Sequence, residues 1–263
     1  MTLQGKTIWI TGASSGIGKS IAIRLSKKGC KLIISARREA LLNEVKSQCA
    51  QPENVVVLPL DLEQIDTMNG ITTRAIDSFG TIDMLINNGG ISQRSSIIET
   101  SIEVDRKLIE VDYLGTIALT KTLLPYFVKK QRGYFVVVSS LMGKFSSPYR
   151  SAYCGAKHAL HGFFDALRLE HDSDHVKVTM ICPGFVNTDV ARNALTGDGS
   201  KQNYQDSMTA QGLNVDVFTK KMIRAIEKEK FEAYIGQFET LGIYVKRISL
   251  RLLHRLILKS KVQ

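Results

Sequence analysis

Between residues 6 and 236 the chain alternates short apolar runs with longer amphipathic stretches, and few folds accommodate that rhythm. KTIWI (6–10), KLIIS (31–35), NVVVLPL (54–60), IDMLIN (82–87), GYFVVVS (133–139), VKVTMIC (176–182) and FEAYIG (231–236) read as strands. Helical candidates lie between them: IGKSIAIRLSKKG, ARREALLNEVKSQ, a segment ending near Phe79, a long one from about Ser101 to Lys130, and SAYCGAKHALHGFFDALRLEH. Strands that are apolar along their whole length belong in a sheet covered on both faces. Alternation of such strands with helices predicts an α/β fold built on a doubly wound parallel sheet.

Residues 189 to 215 break the rhythm with Gly197, Gly199 and many polar side chains, which predicts a mobile loop serving as a substrate lid. At 263 residues and 44% hydrophobic, the chain suffices for one large domain, expected over 1–240, followed by a tail over 241–263. The net charge of +10 is uneven: Lys246, Arg247, Arg251, Arg255, Lys259 and Lys261 lie in the tail with no acid, leaving +4 for the body. A basic tail without interleaved aromatics does not predict nucleic-acid binding. Cys30, Cys49, Cys154 and Cys182 are scattered, with neither CxxC nor metal-ligand spacing, so free thiols in a reducing, cytoplasmic compartment are expected and no metal. His158 and His161, and the pair His171 and His175 with their acidic neighbours, likewise lack metal-ligand spacing. The start, MTLQGKTIWITG, holds no apolar run of signal or anchor length, and no segment offers about 18 uninterrupted apolar residues.

Two motifs carry chemistry. TGASSGIG (11–18) joins the first strand to the first helix, where glycines allow a tight turn and close backbone approach. A helix opening there offers unpaired N–H groups and a positive dipole end to a pyrophosphate. SAYCGAK (151–157) sets Tyr153 and Lys157 four residues apart, neighbours on one helical face, with Ser140 thirteen residues upstream. A tyrosine by itself ionises too high to exchange protons at neutral pH. An ammonium about 5 Å away, at an effective dielectric of about 20, favours the phenolate by about 3 kcal/mol. Alone, a Tyr-x-x-x-Lys pair is more often an exposed helix face, and the other motifs decide between the two.

Taken in order, Gly12, Gly16 and Gly18, Asp61, Asn87-Asn88-Gly89-Gly90, Ser140, Tyr153, Lys157 and Pro183-Gly184 resemble the pattern of the short-chain dehydrogenase/reductase family over nearly the whole chain. SSLMGK and YCGAKHALHGFFDALR look most like the branch of microsomal hydroxysteroid dehydrogenases and their orphan relatives. The resemblance implies a Rossmann-like fold, a nicotinamide cofactor and a homodimer or homotetramer packed through long helices. It implies Tyr153 as general acid–base, Lys157 as the group that tunes it and holds the nicotinamide ribose, and Ser140 as donor to the substrate oxygen. Ser139 is the alternative hydroxyl, disfavoured by its spacing. Ser14, Ser15 and Ile17 in the turn, Leu62 after Asp61, Asn88 and Gly89, and Pro183, Gly184, Val186 and Thr188 after the sixth strand complete the implied cofactor site. Asp61 would lie near the adenine, or else cap the next helix.

The second strand ends at Ser35-Ala36 with no acid to grip a ribose hydroxyl; Arg37 and Arg38 follow instead. Their forked cations suit a 2′-phosphate, which predicts NADP(H). One position departs from the family: in EVDYLGTIALTK, Asp112 stands where the family usually has an Asn that anchors a relay water. An ionised Asp112 would keep Lys157 charged while disfavouring the tyrosinate, or would hold the water itself. Gly89, where Ala is usual, is a smaller departure expected to touch only packing.

The tail, LGIYVKRISLRLLHRLILKSKV, predicts one basic amphipathic helix with Leu241, Val245, Ile248, Leu252, Arg255 and Leu256 near one side. Such a helix suits an anionic membrane surface, making the protein peripheral there, or packs on a partner subunit or its own domain. The expected function is NADP(H)-dependent interconversion of a carbonyl and an alcohol on an apolar, lipid- or steroid-like small molecule. The alternative is a catalytically weak, cofactor-binding regulatory or scaffold protein of the same fold.

Overall fold

A computed structural model describes residues 1–260; Lys261 and the rest of the expected tail lie outside the described residues. Seven strands form one all-parallel sheet in the order β3-β2-β1-β4-β5-β6-β7. They are β1 (Thr7–Thr11), β2 (Lys31–Ser35), β3 (Val55–Val57), β4 (Met84–Asn87), β5 (Gly133–Val138), β6 (Val176–Pro183) and β7 (Glu232–Ile235). The helices are α1 (Gly16–Ser26), α2 (Glu39–Ser47), α3 (Met68–Phe79), α4 (Ile102–Ile109), α5 (Gly115–Lys130), α6 (Ser151–Glu170), α7 (Ser207–Ala210), α8 (Val215–Glu227), α9 (Leu241–Ile248) and α10 (Leu250–Lys259).

The fully apolar strands have the predicted cause. Ile8 and Ile10 of β1 point into one core with Ile21, Leu25, Phe218 and Met222, while Trp9 between them enters the opposite core with Phe127, Phe135 and Phe164. Successive side chains alternate faces, and helices cover both. Fully burying each such side chain contributes about 1.5–3 kcal/mol. Trp9 Nε1 donates to Ser35 Oγ at 2.9 Å, so its one polar atom is paired.

Three expectations change in detail. The third strand is shorter than NVVVLPL because Pro59 cannot donate; Leu58 and Leu60 still bond to Ile34 and Ala36, which is tolerable on an edge strand. The long helix from Ser101 to Lys130 is interrupted by a π-helical turn over Glu110–Leu114, which holds Asp112. The tail is two helices. Ser249 is extended (φ −155, ψ 110) and accepts from Leu252 N–H, capping α10 and resetting the helical phase. The buried residues are therefore Ile243 and Leu253, packed with Leu141, Phe145 and Cys182 and joined by Val245, while Ile248 and Leu252 face outward. No helix among the described residues is long and apolar enough to cross a membrane.

The chain winds from β1 outward to β3, then returns to place β4 on the other side of β1. Connections leaving the ends of β1 and β4 diverge there, opening a crevice at the carboxyl edge of the sheet.

Candidate active site

A cavity of about 990 Å³ fills that crevice, bordered at one end by the Gly12–Ile17 turn and at the other by Phe145, Met208 and the tail helices. The turn is made by backbone. Gly12 and Gly16 have φ of +64 and +51, in the region glycine favours. A Cβ on Gly18 would meet Gly12 O at 2.2 Å, so this glycine lies behind the turn and lets α1 pack against it. Ser15 precedes α1 without a side-chain cap bond, and no acid occupies the first turn. The helix therefore opens with unmet N–H groups at the cavity edge, an arrangement that fits a pyrophosphate.

Thr11, the first residue of the TGASSGIG motif but given no role of its own from sequence, ties this turn to the end of β4. Its Oγ1 accepts from Asn88 N at 3.0 Å and Gly89 N at 2.9 Å, while Asn88 Nδ2 donates to Thr11 O and Gly12 O at 3.0 and 3.2 Å. A hydroxyl residue just before the glycine turn was its only signal. A Cβ at Gly89 would meet Leu62 Cδ1 at 2.9 Å, so the missing methyl is replaced by the neighbouring leucine. Asp61 Oδ1 accepts from Glu63 N at 3.2 Å, forming a turn; α3 begins seven residues later, so Asp61 is not its cap. Arg37 and Arg38 border the same end, and neither is within ion-pair distance of a carboxylate among the described residues. Unpaired guanidiniums fit a 2′-phosphate.

Ser140, Tyr153 and Lys157 also border the cavity, as do Ser14, Ser15, Ile17, Asp61, Leu62, Asn88, Gly89, Pro183, Gly184, Val186 and Thr188; Gly18 and Asp112 lie behind it. Ser140 Oγ accepts from Met142 N at 3.1 Å, leaving its own hydrogen to donate. Ser139 turns away: its Oγ lies 3.1 Å from His161 Nε2 and 3.4 Å from Lys157 O. His161 is thereby structural, its Nδ1 3.3 Å from Glu232. Among the described residues no three metal-ligating side chains cluster. All four cysteines are free and buried.

Tyr153 and Lys157 share one face of α6, the ammonium 5.6 Å from the ring centre. Lys157 is 5% exposed and Asp112 0%, and they form an ion pair with Nζ and Oδ2 3.3 Å apart. The π turn aims Asp112 at Lys157, while its Oδ1 accepts from Ile91 N at 2.7 Å. A Cβ on Gly90 would sit 3.1 Å from that carboxylate, so glycine leaves it room. Burial lowers Lys157, but the Asp112 carboxylate, with a further pull from Tyr153, more than offsets it. Lys157 is held above its ordinary value and stays charged. Nζ also lies 3.4 Å from Val138 O.

The segment after β6 borders the cavity. Leu195 N donates to Ser92 O at 2.8 Å, Arg94 N to Leu195 O at 2.8 Å, and Arg94 pairs with Asp206 at 3.1 Å. Gly197 O accepts from Ser101 N at 2.9 Å. Arg94, Arg150 and the α10 residues Leu253, Leu256 and Ile257 border the cavity and were missed. Nothing in their local pattern separates them from surface arginines or an ordinary helix face.

A family model described as short chain dehydrogenase matches residues 6–198. The chain is 36% identical over 261 residues to the mouse dehydrogenase/reductase SDR family member 7B, covering 97% of this chain and 81% of the relative. It is 39% identical over 241 residues to the human dehydrogenase/reductase SDR family member 7, covering 89% and 71%. Among solved structures, a short-chain dehydrogenase from Streptomyces avermitilis superposes with a TM-score of 0.81 at 24% identity, covering 97% of this chain and 98% of that one. A short chain dehydrogenase/reductase from Burkholderia phymatum in complex with NAD gives 0.82 at 19% identity, covering 100% and 98%. At those identities the two structures speak to the fold.

Proposed function

The chain belongs to the short-chain dehydrogenase family, and from that premise we propose that it is an NADP(H)-dependent oxidoreductase interconverting a carbonyl and an alcohol on an apolar, lipid- or steroid-like substrate. One observation carries the reading: a phenol, a charged ammonium and a serine with a free hydrogen border the same cavity as a bare glycine turn. In this reading the turn and the opening of α1 hold the pyrophosphate, Arg37 and Arg38 the 2′-phosphate, and Pro183, Gly184, Val186 and Thr188 the nicotinamide. When bound, that group donates or accepts the hydride.

The protein's own residues handle the oxygen and its proton. Ser140 donates to the carbonyl oxygen and stabilises negative charge as it develops. Tyr153 delivers its phenolic proton to that oxygen, or takes one from the alcohol in reverse. Lys157 balances the charge left on the phenol, and Asp112 keeps Lys157 protonated. Phe145, Met208 and Leu253 give the far end its apolar lining. The outward side of the tail, with Ile248 84% exposed and five cations from Lys246 to Lys259, suits an anionic membrane surface, which liposome flotation of the full chain checks. Assembly as a dimer or tetramer through the long helices is checked by sizing.

The decisive experiment follows nicotinamide absorbance against a panel of apolar ketones and aldehydes, with Tyr153→Phe beside the natural chain. Turnover that disappears in the variant supports the reading. NADPH binding without turnover of any carbonyl overturns it in favour of a regulatory cofactor-binding protein.

A further inference from the structure

We propose that this cavity holds an anion site on the Tyr153 side, with Arg150 binding the carboxylate of a substrate that is otherwise apolar. The inference rests on reading the cavity as the substrate chamber, and it narrows the substrate class to amphiphilic carbonyl acids.

Arg150 is 4% exposed yet borders the cavity. Its Nη1 donates to Ser147 Oγ at 3.0 Å; its buried Nη2 has no hydrogen-bond partner. A buried charge of this kind is costly unless an opposite charge meets it. The local charges leave it unmet. Arg94 Nε and Nη2 donate to Asp206 Oδ2 at 3.3 and 3.1 Å, and Arg94 Nη1 to Ser92 Oγ and Gln93 O at 2.8 Å each. Asp206 Oδ1 in turn accepts from Thr209 N at 2.7 Å, capping α7. Asp206 is thus engaged by Arg94 and the start of α7, and Arg150 has no carboxylate within ion-pair distance among the described residues. Burial and the charge of Arg94 lower Arg150 to about 10, so it remains protonated at neutral pH.

The backbone holds this arrangement in place. Tyr149 adopts φ 64, a left-handed conformation that non-glycine residues rarely take, and its carbonyl accepts from Ser95 N at 3.2 Å. That turn delivers Arg150 to the start of α6, three residues before Tyr153. One unpaired charge matches a monoanion better than a phosphate dianion, and a guanidinium fork matches the two oxygens of a carboxylate. Phe145, Met208 and Leu253 offer an alkyl body apolar surface to lie against.

The test compares, with NADPH present, a medium-chain aliphatic oxo acid and its methyl ester as substrates of the full chain and of Arg150→Gln. The natural chain is expected to favour the acid about 30-fold in kcat/KM, and Arg150→Gln to cut that ratio about tenfold or more. An equal fall on acid and ester would assign the guanidinium to the phenol and overturn the proposal. So would a natural chain indifferent to the pair, whatever becomes of the variant. Calorimetry with decanoate and decanol reads the same site without turnover. Preference for decanoate, lost in Arg150→Gln, with no carbonyl reduced would support the anion site while sinking the oxidoreductase reading. Reduction of neutral ketones with no preference for acids would do the reverse.

Discussion

The two ends of the cavity are built from different materials. The end at the glycine turn is mostly backbone: two glycines at positive φ, a bare helix start and the Thr11–Asn88 stitch, drawn from loops that follow β1 and β4. The far end is mostly side chains, brought together from the loop after β4, the start of α6, the segment after β6 and the tail. In the proposed reading, backbone geometry binds what every dinucleotide shares, and side chains from distant segments select the substrate. In the same reading the buried Lys157–Asp112 pair, beside Tyr153, is the junction between the two ends.

If that division holds, substitutions at the junction stop turnover, those at the glycine end change cofactor choice, and those at the far end change substrate affinity. The largest effect is expected from Tyr153→Phe: kcat/KM falls about 10³-fold, equivalent to about 4 kcal/mol, with NADPH affinity retained in a binding titration. Loss of cofactor binding instead would break the contrast at its junction.

Asp112→Ala leaves a buried ammonium unpaired and should lower the unfolding free energy by about 3 kcal/mol in denaturant titration. The gentler Asp112→Asn tests the charge itself. Lys157 is raised in the folded state, so its pairing stabilises fully below the unfolded lysine value and is lost as pH climbs through the folded one. Without the carboxylate, burial dominates and lowers Lys157. The alkaline limb of both stability and activity then moves to lower pH. An unmoved limb would remove Asp112 from the proton chemistry.

A smaller effect is expected at the glycine end. Replacing Arg37 and Arg38 together with Ser should reduce the preference for NADPH over NADH about 30-fold, or about 2 kcal/mol, read as a ratio of kcat/KM values. A preference for NADH in the unaltered chain would overturn the role given to these arginines. Smallest, truncation after Thr240 removes Ile243, Leu253 and the α10 wall, and should raise KM for an apolar carbonyl about tenfold while NADPH affinity stays within about twofold. An equal loss of both would mean that the tail supports the whole fold rather than the far end.

The motif residues were legible because their constraints are local. Gly12 and Gly16 answer to a turn that must bend within a few residues, and Tyr153 and Lys157 to a helix that returns to the same face after four. Ser140 was separable from Ser139 by spacing, and the hydrogen bonds give the same separation a cause. The tail was legible only in part because periodicity assumes an unbroken helix: extended backbone at Ser249 shifts the phase, so Val245 packs as the pattern implied while Ile243 and Leu253, outside it, are the buried residues.

By itself, then, the order of residues determined the alternation of strand and helix, the parallel two-faced sheet, the glycine turn and the spacing of Tyr153 and Lys157, since each depends on neighbours within a turn or a strand. Tertiary structure alone decided that Asp112 meets Lys157, that Asp206 serves Arg94 and leaves Arg150 over, and that the tail walls the cavity. Those contacts join segments tens to more than a hundred residues apart, and no local periodicity encodes which buried charges will share a partner once the sheet has closed around them.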